Sequence, residues 1–197
     1  KRNYAEAVKW FQLAAKQGLI AAQFFLGTCY YGGLGVQQNF GEAVAWFQSA
    51  AVQGHSDAQN MTGICYYSGR GVEKNYGEAV KWYRLAAKQG NVFSQNLLGD
   101  CHYNGKGVEK NYTEAVQLYR LAANGGGGSA QYSLGLCLFK GEGVEQNFEE
   151  AVKWYQLAAD RGHVDAQTML GCCYETGQGV EQNIGEAVRW DRLAAEQ

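Results

Sequence analysis

The sequence predicts an all-α solenoid of about eleven helices, built from 36-residue helix-turn-helix repeats and read as one domain over residues 1–197. The first observation is a period. Asn opens each unit at Asn3, Asn39, Asn75, Asn111, Asn147 and Asn183, always 36 residues apart with no insertion or deletion. The second is that Glu-Ala-Val follows in the same register, at Glu6, Glu42, Glu78, Glu114, Glu150 and Glu186. The third is that the chain has 27 Gly and no Pro, so glycine does all the punctuation between helices. A unit of this size contacts only its neighbours, and the core runs along the stack of five and a half repeats.

The unit Asn75–Lys110, NYGEAVKWYRLAAKQGNVFSQNLLGDCHYNGKGVEK, serves as the template. Its first helix is expected from Tyr76 to Gln89. Asn75 caps it and Glu78 follows at capping-box spacing: the Asn side chain accepts from the third amide while the Glu reaches back to the cap amide. The six recurring carboxylates are thus read as caps, not as acid–base groups. Ala79, Val80, Tyr83, Ala86 and Ala87 recur at helical spacing and form the buried stripe. The alanines let helices approach, and Trp82 with Tyr83 fills the wider gaps. Gly90, matched by Gly18, Gly54, Gly126 and Gly162, stops the helix in the left-handed conformation. The link to the second helix is two or three residues, which makes the pair antiparallel.

That second helix is expected from Val92 to Tyr103, with Leu98, Cys101 and the His102 position on its core side. Gly99 recurs at Gly27, Gly63, Gly135 and Gly171. A Gly inside a helix costs about 1 kcal/mol against Ala, so its recurrence points to a close helix crossing. Gly105-Lys106-Gly107-Val108 forms the return loop, anchored by Val108.

Three stretches depart from the template. Gly125-Gly126-Gly127-Gly128-Ser129 has flexible-linker composition while keeping register, which predicts a frayed start to the following helix; a natural Gly-rich turn and an engineered junction both fit it. In the last helix, from Ile184 to about Glu196, Asp191 stands where Phe11, Phe47, Tyr83, Tyr119 and Tyr155 stand elsewhere, the signature of a polar terminal cap. The chain opens at Lys1 inside a repeat, as an excised piece would, and leaves Trp10 and Phe11 on an apolar end face.

Net charge is −2 and the pI about 6.0, with Lys and Arg spread through every repeat. That balance disfavours nucleic acid and anionic membrane as partners, and no apolar run approaches the length of a membrane span. Five of the six cysteines, Cys29, Cys65, Cys101, Cys137 and Cys173, share one repeat position. Stacked helices lie roughly 8–10 Å apart, beyond the roughly 7 Å a disulfide allows, so these thiols are read as reduced core residues. His55 and His163 are equivalent positions three repeats apart and cannot share a site. His55-Ser56-Asp57 starts a helix and caps it; His102 replaces a core Tyr. No metal-ligand spacing, phosphate-binding loop or nucleophile–base pair appears, so no cofactor and no enzyme activity are expected.

The second-helix pattern A-Q-x-x-L-G-x-C-Y-x-x-G-x-G-V is carried by Ala22-Gln23, Leu26-Gly27, Cys29-Tyr30, Gly33 and Gly35-Val36. With Ala43-Val44, Trp46-Phe47 and Ala50-Ala51 after it, the chain closely resembles the Sel-one-like repeat, a relative of the tetratricopeptide repeat. The match covers the whole chain. The cysteine-rich branch of that family bridges its helices at positions that match Ala15 and a residue near Ala22, so its disulfides and secreted setting do not transfer. The resemblance implies a right-handed αα-superhelix whose second-type helices line a concave face, and a non-enzymatic adaptor that assembles protein complexes.

On that analogy three tracks face a partner. The first is Phe24, Asn60, Asn96, Tyr132 and Thr168; the second Thr28, Ile64, Asp100, Leu136 and Cys172; the third Tyr31, Tyr67, Tyr103, Phe139 and Glu175. The first two vary between repeats while the core stays constant, as a recognition surface on a uniform scaffold should. The third forms an aromatic ladder suited to a peptide or helical segment. Asn60 and Asn96 offer amides that can both donate to and accept from peptide backbone. The partner is expected to be protein. The alternatives are a structural module that self-associates through its array ends, or an engineered array with no native ligand.

Overall fold

The structure is a computed structural model that describes residues 3–197. Among these it contains eleven α-helices and no strand. They are α1 (Tyr4–Lys16), α2 (Ile20–Gly32), α3 (Phe40–Ala51), α4 (Ser56–Ser68), α5 (Tyr76–Lys88), α6 (Val92–Asn104), α7 (Tyr112–Asn124), α8 (Gly128–Lys140), α9 (Phe148–Ala159), α10 (Val164–Thr176) and α11 (Ile184–Ala195). Odd-numbered helices are the first of each repeat and even-numbered ones the second. The chain forms two compact units. One runs through Ser94 and includes Lys106–Val108; the other comprises Gln95–Gly105 and Glu109–Gln197. The same construction appears in each.

Every odd helix begins at an Asn whose Oδ1 accepts the N–H of the Glu three residues on, at 2.9–3.2 Å. The reciprocal half of the expected capping box is not made. From Asn39 onward, the cap residue's own N–H is donated to the preceding even helix. Asn39 N reaches Tyr30 O, Asn75 N Tyr66 O, Asn111 N His102 O, Asn147 N Leu138 O and Asn183 N Tyr174 O, at 2.8–3.0 Å. The glutamates turn elsewhere: Glu78 pairs with Lys81, Glu186 with Arg189, and Glu150 accepts from Arg120 and Trp154. The cap therefore stitches one repeat to the next as well as starting a helix.

The expected stripe is the core. Ala79, Val80, Tyr83 and Ala86 are buried, as are Leu98 and Cys101, while Ala87 and His102 are half-buried. The loop valines Val36 and Val72 pack against the cores below them. The recurring helical glycine marks a close crossing, as predicted. A Cβ built at Gly27, Gly63, Gly99 or Gly135 would fall 2.5–2.7 Å from the ring of Phe47, Tyr83, Tyr119 or Tyr155. Asp191 stands over Gly171 in the same way, yet is exposed where those rings are buried.

A track of buried glutamines is the feature that sequence reasoning missed. The last carbonyls of a helix have no partner within it, and when buried they need one. Gln23, Gln59, Gln131 and Gln167 donate through Nε2 to Ala15, Ala51, Ala123 and Ala159 O of the preceding odd helix, at 3.0–3.4 Å. Their Oε1 atoms accept from Gln53, Gln89, Arg161 and Gln197, each one or two residues past the end of the following odd helix. The signal was present: a Gln kept in register at an otherwise apolar position.

All six cysteines are free, and only Cys172 is exposed. Burial pushes the Cys65 and Cys173 thiols up to about 11 and the Cys137 thiol to about 12. They stay protonated at neutral pH and have no nucleophilic character. His55 and His163 cap α4 and α10, their Nδ1 atoms accepting from Ala58 and Ala166 N at 3.3 and 3.4 Å. Gly127, at the equivalent position before α8, makes no side-chain cap.

Candidate protein-binding surface

The even helices present their tracks differently in the two units. In the first unit, Phe24 is half-buried, stacked on His55 at 4.7 Å and tilted against Phe47 at 5.9 Å. Thr28 turns its hydroxyl back to Phe24 O at 3.0 Å, and Ile64 is half-buried with its side chain apolar. Asn60 is buried, and its Oδ1 accepts from Ser94 Oγ at 2.8 Å. Ser94 itself replaces the Ala found at Ala22, Ala58, Ala130 and Ala166. The Asn60 exception is thus matched by a second exception beneath it. The two-ended grip on a peptide backbone expected of Asn60 is not available in this conformation, because its acceptor is engaged and its residue is covered.

In the second unit the polar residues of the tracks meet. Asn96 Nδ2 lies 3.4 Å from Asp100 Oδ2, and Tyr119 OH donates to Asp100 Oδ1 at 2.7 Å. Asn96 Oδ1 is buried with no hydrogen-bond partner. Burial, and then the Asp100 charge, push the Tyr119 hydroxyl far above the usual phenol range, so it stays a donor. Tyr132 stacks on His163 at 5.0 Å, repeating the Phe24–His55 pair. Leu136 is half-buried; Thr168, Cys172 and Glu175 are exposed.

The third track is built into the packing between repeats. Tyr31, Tyr67, Tyr103 and Phe139 meet Phe40, Tyr76, Tyr112 and Phe148 edge to face at 4.9–5.2 Å. Their hydroxyls are taken by the residue between the two loop glycines of the next repeat. Arg70 Nη1 donates to Tyr31 OH at 2.6 Å, Lys106 Nζ donates to Tyr67 OH at 3.0 Å, and Tyr103 OH donates to Glu142. Phe139, which has no hydroxyl, faces a repeat whose loop carries Gln178. Each ring stays half-buried. What the ladder offers a partner is the remaining ring surface, not its polar ends.

The described residues include no group of three His, Cys, Asp or Glu side chains placed to hold a metal, and no helix long and apolar enough to cross a membrane. The surface can bind by shape, apolar contact and amide hydrogen bonding.

The Sel1 repeat profile matches six consecutive segments, residues 1–19, 20–55, 56–91, 92–127, 128–163 and 164–197. Its full units pair an even helix with the odd helix after it. That is also the closer pairing here, since α2 packs more extensively on α3 than on α1, and α8 on α9 than on α7. No curated protein shows significant similarity. Among solved structures, c5321, a protective antigen of uropathogenic Escherichia coli strains with an SLR fold, is 36% identical with a TM-score of 0.93. The alignment covers 98% of this chain and 42% of that one, so the chain spans about two fifths of its length. A Sel1 repeat protein from Oxalobacter formigenes is 34% identical with a TM-score of 0.88, over 100% of this chain and 83% of that one. Cysteine rich protein B of Helicobacter pylori, at 23% identity and a TM-score of 0.55 over 66% of this chain and 96% of its own, shares the fold.

Proposed function

The chain belongs to the Sel1 repeat family, and from that premise we propose that it holds a peptide or helical segment of a protein partner against its even helices. Sel1 repeats form a helical scaffold family whose members bind proteins. The observation that carries the finer reading is a division of labour along one chain. Some positions sealed from water keep one residue type from repeat to repeat, such as Ala43, Ala79, Ala115, Ala151 and Ala187. One position on the even helices changes in every repeat: Thr28, Ile64, Asp100, Leu136 and Cys172 are half-buried or exposed, and no two are alike. Packing alone would reuse one side chain at equivalent places, as it does at the alanines. Variation at an accessible position of an otherwise uniform scaffold is what selection for a particular partner produces.

Within this reading Ile64 supplies apolar contact in the first unit; in the second, Leu136 supplies apolar contact, Asn96 and Asp100 supply polar discrimination, and Thr168 extends that unit's face towards α11. The test is affinity capture from native lysate with the intact chain and with Ile64→Glu and Leu136→Glu, singly and together. The expected result is loss of the captured protein with thermal unfolding shifted by less than about 1 kcal/mol, as for substitutions outside the core. Capture that survives both changes overturns the assignment to this face.

A further inference from the structure

Asn96 stands in a place that other repeats finish and its own does not. Its equivalents on α2, α4 and α8 are Phe24, Asn60 and Tyr132. Phe24 stacks with His55 at 4.7 Å and Tyr132 with His163 at 5.0 Å, so an imidazole lies against each ring. The residue in that register for Asn96 is Gly127, which brings no side chain, and a Cβ at Gly128 beside it would meet nothing within 4 Å. Asn60 finds its partner beneath it, where Ser94 Oγ donates to Oδ1 at 2.8 Å. The equivalent of Ser94 for Asn96 is Ala130, buried and without a side-chain donor. Asn96 Oδ1 is accordingly buried with no hydrogen-bond partner. A buried acceptor in that state is a cost that a donor from outside would remove.

One turn along α6, Asp100 supplies charge. Tyr119 OH donates to its Oδ1 at 2.7 Å, and its Oδ2 lies 3.4 Å from Asn96 Nδ2, a long contact. A carboxylate offers about four acceptor positions, so these bonds leave it able to accept more. An amide oxygen and a carboxylate thus share one face of α6, beside the place where two other repeats lay a planar ring. The track residues of α6 and α8, which are Asn96, Asp100, Tyr103, Tyr132, Leu136 and Phe139, include no cation.

We propose that Asn96 and Asp100 receive an arginine side chain of the bound protein segment. The inference rests on the reading that the even helices hold such a segment, and it names the chemistry of one contact in the second unit. A guanidinium is planar, so it suits the place that His55 and His163 fill elsewhere. It carries only donors, in a fork that can address an amide oxygen and a carboxylate together. Its charge complements Asp100. Lysine brings the charge without the plane or the fork, and a neutral side chain of the same shape lacks the charge. An acidic side chain is repelled by Asp100.

The experiment selects binders to the whole chain from a random peptide phage library and repeats the selection on the Asp100→Asn chain, where Tyr119 OH keeps an acceptor. Peptides chosen by the unchanged chain are expected to share an arginine that those chosen by the variant lack. The leading peptide is then synthesised with that arginine, with lysine, and with citrulline, which keeps the shape and loses the charge. Anisotropy titration should show roughly ten-fold weaker binding for citrulline, a smaller loss for lysine, and no such ranking on the Asp100→Asn chain. Gly127→His, permitted by a φ of −70°, should fill the place and weaken the arginine peptide. Asn96→Leu should weaken it too while leaving thermal unfolding unchanged or higher, because a buried acceptor without a partner is removed. A library that yields no Asp100-dependent arginine, or a citrulline peptide that binds as tightly as the arginine form, overturns the proposal. Peptides lost on Ile64→Glu or Leu136→Glu but indifferent to Asp100→Asn reject the arginine site and keep the even-helix face. An arginine peptide that needs Asp100, alongside native capture that survives the face substitutions, keeps the site and rejects the wider reading.

Discussion

Helices α5 and α11 start from the same instructions and end in different surroundings. Both are capped by Asn, at 3.0 Å from Glu78 N and 3.1 Å from Glu186 N, and both continue Gly-Glu-Ala-Val. Val80 is 3% exposed and Val188 is 61% exposed. Tyr83 is sealed against Gly63, while Asp191 over Gly171 reaches water. The difference teaches that the apolar stripe of a repeat is an offer of burial, and that only neighbouring helices take it up. Along α11 the residue over the glycine, Asp191, is polar, while Val188 and Ile184 are apolar and exposed.

The largest effect should come from filling the crossing. Gly63→Ala places a Cβ 2.5 Å from the Tyr83 ring and 3.2 Å from Ala79 O, which the packed helices cannot concede. Overpacking of this kind costs about 1–3 kcal/mol and outweighs the helix propensity gained. Gly171→Ala meets Ala187 O at an ordinary 3.4 Å and, closer, the Asp191 carboxylate, the end of an exposed side chain that can swing aside, so it should leave stability unchanged or raise it by up to about 1 kcal/mol. Urea unfolding of the two variants separates them; equal midpoints would mean that the tight crossing is not what distinguishes the two helices. A smaller contrast lies in the valines. Val80→Ala should cost roughly 2 kcal/mol and Val188→Ala less than about 0.5 kcal/mol. Similar losses would show that α11 is covered in solution.

The smallest effect concerns the start of α8. Asn91 Oδ1 accepts Ser94 N at 2.9 Å before α6, whereas Gly127 offers no side chain. Its φ of −70° suits any residue, so Gly127→Asn should add about 0.5 kcal/mol. It should also slow amide exchange at Ser129–Tyr132 towards that of Val92–Gln95. Exchange already equal in the unchanged chain would show that the glycine run is no weak point.

The helices were legible because their signals are local and repeated six times. Asn caps, positive-φ glycines and the Ala-Val-aromatic stripe each act within a few residues, and the observed ends fall within one or two residues of those expected. Contacts between repeats were less legible. The cap amide's bond to Tyr30 and its equivalents, the glutamine track and the Arg70–Tyr31 rungs join residues 8 to 39 positions apart. Spacing alone does not say which of two adjacent faces they occupy. Asn60 shows the limit at the candidate surface: as a lone exception it resembled a recognition residue, and its compensating partner Ser94 lies 34 positions away.

By itself the sequence determined the repeat, its helix-turn-helix content, its caps and the residues available for the core, since backbone geometry and periodicity decide these over one or two turns. Which of those residues are sealed, and which hydroxyls and amides are already spent, was decided only in the tertiary structure. Burial and hydrogen-bond satisfaction belong to a residue's neighbours, and in a repeat array identical residues have different neighbours at the ends and in the middle.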